Sequence, residues 1–177
     1  MNNLEPILFL IPVIALILTG LLYFYFLKKT TNKNIFKKLV LTITVIALLL
    51  NLIWELVQMP LYKGSSYSIK QTAFCTLASV ADALMVLLLY FSVALIFRNP
   101  LLIQHLKWQI AIVILIGGTG AVLAEMRHLS EGSWVYADLM PIIPIVNVGI
   151  SPVLQFMVLP LLIYFLSNLL LKKNEKK

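Results

Sequence analysis

The stretch Leu39 to Pro60, LVLTITVIALLLNLIWELVQMP, decides the fold. At ~1.5 Å of rise per residue, an apolar run of this length crosses the ~30 Å hydrocarbon core of a bilayer as one helix. Lys37 and Lys38 bound it on one side and Pro60 closes it on the other. Near its end stand Asn51, Glu55 and Gln58, at positions i, i+4 and i+7, which fall on one helix face. Hydrocarbon does not tolerate a carboxyl and two amides unpartnered, so this face must turn toward other protein.

Working outward, four further segments have the same character, near 6–27, 71–97, 108–126 and 150–171. The chain of 177 residues is 61% hydrophobic and 12% charged, with a mean hydropathy of +0.97. Soluble domains are about 45–50% apolar, so a water-soluble globule is excluded. The expectation is a single all-α domain over residues 1–177, an integral membrane bundle of five transmembrane helices. Met1 to Glu5 brings an acid and no base, and no small-residue cleavage site follows, so the first segment reads as a retained span and not a signal peptide.

Eleven of the fourteen Lys and Arg residues would lie on one side of such a bundle: Lys28, Lys29, Lys33, Lys37, Lys38, Arg98, Lys107, Lys172, Lys173, Lys176 and Lys177. Lys63, Lys70 and Arg127 fall on the other. Positive charge stays in the cytoplasm, which predicts the N-terminus outside and the C-terminus cytoplasmic, in a multi-pass protein of the cell membrane. The net charge of +7 is then a signal of topology and an attraction to anionic lipid headgroups. These lysines sit at helix ends without interleaved aromatic residues, so nucleic acid is not an expected partner.

The first segment is bland and ends in Tyr23-Phe24-Tyr25-Phe26, which suggests a lipid-facing anchor with interfacial aromatics. The other four carry polar residues that normally turn inward: Asn51, Glu55 and Gln58; Thr76, Ser79 and Asp82; Thr119 and Glu125; Ser151 and Gln155. Asn51, Ser79 and Thr119 read as interhelical hydrogen-bonding groups. Gly117 with Ala121, and Gly120 with Ala124, are small pairs four apart that let a neighbouring helix approach closely. Between the fourth and fifth segments, residues 133–149 are too apolar for an ordinary loop, yet Pro141 and Pro144 break a helix. The expectation is an interfacial or re-entrant cap on the outer face, with Trp134 and Tyr136 at headgroup level.

Glu55 would lie about 8 Å, and Asp82 about 16 Å, below the outer ends of their helices. Glu125 ends the fourth helix, and Gln155 enters the fifth from the same side. The candidate site therefore has Glu55, Asp82 and Glu125 as acids for general acid or proton-relay work. Trp54, Asn51, Gln58 and Gln155 would bind substrate, with Arg127 and His128 as a cation and a near-neutral base at the rim. Glu125, Arg127 and His128 also read as an ordinary helix-end charge cluster, and His105 and Asp138 as solvated groups. Cys75 is a single cysteine and reads as a small core residue, so no disulfide, metal site or cofactor is expected.

The run Trp54-Glu55-Leu56-Val57-Gln58-Met59-Pro60-Leu61-Tyr62 is joined by Leu139-Met140-Pro141, Gly149-Ile150-Ser151-Pro152 and Leu154-Gln155. Together these resemble a group of small bacterial polytopic membrane proteins, which implies a fold in the bacterial inner membrane and no particular activity. A second resemblance is to membrane-integral meroterpenoid and isoprenoid cyclases and isomerases, in which a Trp-Glu pair in one helix and an acid in another protonate an isoprenoid. Trp54-Glu55 is the matching pair here, and Asp82 stands as the second acid.

The leading expectation is an enzyme doing acid/base chemistry on a lipid or isoprenoid that enters from the outer leaflet. Membrane lipids and a hydrophobic small-molecule substrate are the partners so implied. A proton-linked transporter or channel would need a homo-oligomer, and the nearly unbroken apolar runs Leu39 to Leu50 and Leu84 to Phe97 argue against a polar path through the bundle. A non-catalytic assembly or accessory subunit is the third class, with the small-residue stripe of the fourth helix as its partner face.

Overall fold

The computed structural model describes residues 10–101 and 107–174. Within them lie five helices, α1 (Leu10–Lys29), α2 (Lys33–Gln58), α3 (Ile69–Phe97), α4 (Lys107–Ser130) and α5 (Ile150–Asn174), each long and apolar enough to cross a membrane. Residues 1–9, which comprise the leading Met1 to Glu5 and the start of the span expected at 6–27, lie outside the described residues, as do His105, Lys176 and Lys177. Each helix runs past at least one of its expected ends, most of all α2 and α4. Helix α2 begins at Lys33 because the Asn32 side chain caps it, accepting from the Ile35 amide at 3.1 Å. Helix α4 runs on to Ser130, so Arg127 and His128 sit on its last turn and not beyond its end.

The two ends of the bundle are sorted by chemistry. At one end, Phe26 stacks on Phe91 at 5.8 Å and Tyr23 on Phe36 at 5.7 Å, which joins the close of α1 and α3 to the start of α2. Lys28, Lys29, Lys33, Lys37, Lys38 and Arg98 belong to this basic end. At the other end the α2–α3 connection is laced to the α4–α5 connection. The Lys63 amide donates to Val135 at 2.8 Å, the Ala137 amide donates to Leu61 at 2.9 Å, and Tyr62 bridges Tyr136 between them.

Helix α2 packs on both α3 and α5, α4 packs on α5, and α1 leans on the outside of α3. The α3–α4 seam is the loosest in this ring. Helix α1 buries a narrow stripe, Ala15, Thr19 and Phe26, while Leu16, Ile17, Leu21 and Phe24 remain exposed, in keeping with a peripheral helix. The half of the bundle toward the basic end is filled by Phe36, Leu39, Ile43 and Ala47 of α2, Val86, Tyr90 and Phe91 of α3, and Ile163 and Tyr164 of α5. The Tyr164 hydroxyl is satisfied there by donating to the Val86 carbonyl at 2.8 Å.

Helices α4 and α5 meet at an unusually close point. Pro160 lies inside α5 and has no amide hydrogen to donate to the Phe156 carbonyl four residues back. A Cβ added at Gly117 would stand 2.2 Å from that same carbonyl oxygen, so the glycine lets α4 close over it. The connecting segment forms a short antiparallel ribbon, β1 (Ile142–Ile143) with β2 (Val148–Gly149). Met140 and Val148 are buried beneath it, whereas Ile145 at its tip is 92% exposed. The Ile150 amide donates to the Pro141 carbonyl at 2.8 Å and ties the ribbon to the start of α5.

Candidate functional site

The polar faces of α2, α3 and α5 converge at the ribbon end of the bundle. Gln155, on α5, is almost wholly buried and is the hub. Its amide nitrogen donates to Asn51 Oδ1 at 3.0 Å and to Asp82 Oδ2 at 2.9 Å, while its Oε1 accepts from Gln58 at 3.3 Å. Gln58 spends its second amide hydrogen on Glu55 Oε1 at 2.6 Å and accepts from the Ser151 hydroxyl at 2.9 Å. Both glutamines thus use both amide hydrogens and their carbonyl oxygen, with no donor left over. Glu55 and Asp82 are thus linked through Gln58 and Gln155, and both face one chamber.

Glu125 reaches the site from α4. Its Oε2 accepts from the Trp134 indole at 3.2 Å and from the Tyr136 hydroxyl, so the connecting segment folds down onto a buried carboxyl. Burial first, and the hydrogen bond to Glu125 second, hold the Tyr136 phenol above the usual tyrosine range. Burial, together with Glu125 and Glu55, does the same for Tyr62. Both phenols therefore remain donors at neutral pH.

Two cavities meet at these acids. A polar chamber of about 200 Å³ is lined by Glu55, Gln58, Tyr62, Asp82, Glu125 and Gln155, among others. Beside it, along the α3–α4 seam, runs an apolar groove of about 320 Å³ walled by Met85, Leu88, Ile116, Gly120 and Ala124. Asp82, Glu125, Trp134, Pro152 and Phe156 belong to both walls. Among the described residues, no group of three or more His, Cys, Asp or Glu is arranged to hold a metal ion.

Of the residues singled out in the sequence, Asn51, Glu55, Gln58, Asp82, Glu125 and Gln155 come together here. Trp54 packs against the apolar core and its indole nitrogen finds no hydrogen-bond partner. Arg127 and His128 line the groove, but Arg127 is held by Glu131 at 2.7 Å. The His128 ring stacks on Trp134 at 4.2 Å. Ser79 and Thr119 donate to carbonyls of their own helices and not across the bundle. Tyr62 lines the chamber, a role the sequence does not signal, and Tyr136, expected in the outer cap at headgroup level, donates to the Glu125 carboxylate, a partner that its spacing from Trp134 does not reveal.

Compared with models of known protein families, with curated proteins and with solved structures, the chain matches none.

The hub makes a direct prediction. Gln155→Leu leaves Asn51, Gln58 and Asp82 each short of a partner in a dry interior, and should cost about 1–3 kcal/mol, the penalty of unsatisfied buried groups. Reversible unfolding of the purified protein in mixed micelles measures this. Unchanged stability would remove Gln155 from the centre of the network.

Proposed function

We propose that the chain is a multi-pass membrane protein with its basic end in the cytoplasm, whose polar chamber performs acid/base chemistry on a neutral lipid or isoprenoid drawn from the outer leaflet. The observation that carries this reading is the gathering of three carboxyls, Glu55, Asp82 and Glu125, on the wall of one chamber. Carboxyls crowded at one site of low dielectric do not all ionise without cost, and a proton kept among them is the equipment of a general acid. Neither Glu55 nor Asp82 is paired with a base. The ion pairs among the described residues are Lys63 with Asp138 and Arg127 with Glu131.

In this mechanism Glu55 delivers its proton to the substrate and is left as a carboxylate, Asp82, ionised at the outset, takes a proton from the resulting cation, and return of that proton from Asp82 to Glu55 restores the starting state. Gln58 and Gln155 orient the two acids from opposite sides. Glu125, fixed by Trp134 and Tyr136, adds negative potential that favours a positive charge developing on the substrate. The transport alternative is disfavoured because the Phe36, Ile43, Tyr90 and Phe91 core fills the half of the bundle beyond the chamber. A site confined to one end of the bundle suits a substrate that enters and leaves on the same side.

Two experiments test the proposal. For orientation, cysteines introduced at Ser66 and Ser130 should react with an impermeant thiol reagent in intact cells, while one at Asn34 should not; the reverse pattern overturns the topology. For chemistry, lipid extracts of a strain lacking the gene should accumulate one amphiphile that the wild-type gene clears. Glu55→Gln keeps size and hydrogen bonding but not the proton, so it should insert normally and slow clearance by about 10²–10⁴-fold. Full rescue by Glu55→Gln at matched abundance would leave the carboxyl a packing role alone.

A further inference from the structure

The groove beside the acids is larger than the chamber and differs from it in kind. Its walls are Met85 and Leu88 of α3 with Ile116 and Ala124 of α4, and it ends against Asp82 and Glu125. Small size serves different purposes at neighbouring glycines of α4. Gly117 is needed for helix contact, since its Cβ would strike the Phe156 carbonyl. A Cβ at Gly120 would meet nothing within 4 Å, so this position leaves space open inside the groove and holds no helices together.

We infer that the α3–α4 groove is the chain subsite of the reaction centre, holding one apolar chain of an uncharged amphiphile that enters through the side of the bundle with its head at Asp82 and Glu125. This rests on the acid/base reading and specifies its substrate. Three features argue for it. The groove shares Asp82, Glu125 and Phe156 with the wall of the acid chamber, so a chain lying in it carries its head to two of the carboxyls. At about 320 Å³ it lies at the small end of the ~300–1,000 Å³ that ligand pockets occupy, which suits one chain and not two. Ile11 of α1 and Ile116 of α4 line it and are each 39% exposed, which makes its flank apolar and accessible from the side.

The head must be neutral. An anionic group such as a phosphate would sit among the fields of Glu55, Asp82 and Glu125. The basic residues that line the groove do not offset this. Arg127 is engaged by Glu131, and His128 lies against Trp134 with Ser133 at 3.4 Å from its Nδ1. An alcohol or an unsubstituted isoprenoid end meets hydrogen-bonding groups there without a like-charge penalty.

The test uses the full-length protein in lipid nanodiscs with a photoreactive long-chain primary alcohol, and peptide mapping of the label. The label should fall on the α3 and α4 residues that wall the groove, and excess unlabelled alcohol should compete while its phosphate monoester should not. Gly120→Leu, whose Cβ meets nothing within 4 Å and whose branch takes up groove space, should reduce labelling about tenfold or more, equivalent to ~1.4 kcal/mol of binding. Gly20→Leu, at a position on α1 that also meets open space but lies away from the groove, should leave labelling unchanged. Label mapping elsewhere, indifference to Gly120→Leu, or equal competition by the phosphate would overturn the inference. Glu55→Gln separates this from the mechanism, because that variant should still label the groove. Failed labelling beside failed clearance by Glu55→Gln would reject the subsite and keep the acid/base reading. Groove labelling beside full clearance by Glu55→Gln would do the reverse.

Discussion

A buried amide or carboxyl inside an apolar bundle has no water to fall back on, and this constraint shapes the ribbon end of the molecule. Gln155 resolves it for three helices at once, because a single primary amide offers two donors and a carbonyl. Asn51 and Gln58 on α2 and Asp82 on α3 are each held by that one side chain of α5. The close α4–α5 packing at Gly117 bears on the carbonyl of Phe156, the residue next to Gln155. The polar site and the glycine contact are therefore parts of one arrangement.

The bundle is divided across its length. Toward the basic end, aromatic and branched side chains fill the interior and the hydroxyls of Tyr90 and Tyr164 are spent on backbone carbonyls. Toward the ribbon end the interior is a chamber rimmed by acids and amides, roofed by Trp134 and Tyr136 and opened sideways by the weak α3–α4 seam. The apolar half gives rigidity, and the polar half is where side chains retain chemistry to offer. Glu125 links the two cavities and the ribbon, which places a third carboxyl at the junction where a chain and its head would meet.

Much of this was legible in the chain itself, for local reasons. Helix existence follows from apolar runs of sufficient length, and the shared face of Asn51, Glu55 and Gln58 follows from 3.6 residues per turn. Which partners those residues take is a matter of helix order, and one-dimensional spacing does not contain it. Gln155 stood out as an intramembrane amide but not as a hub. Ser79 and Thr119 read as bridging groups and instead donate to carbonyls of their own helices, a choice open to any short hydroxyl side chain. Glu125 read as a group near water, yet it is buried because Trp134 and Tyr136, nine and eleven residues later, fold back over it. Trp54 carried the resemblance to the isoprenoid enzymes and packs into the apolar core, one position from the acid beside it.

The Asp82–Gln155 hydrogen bond joins α3 to α5 and organises the acids of the site. A double-mutant cycle with Asp82→Ala, Gln155→Ala and the double variant, measured by reversible unfolding in micelles, isolates that coupling from the separate costs of each truncation. The expected result is a favourable coupling above the ~0.5 kcal/mol by which independent sites depart from additivity. Strict additivity of the two substitutions would contradict it.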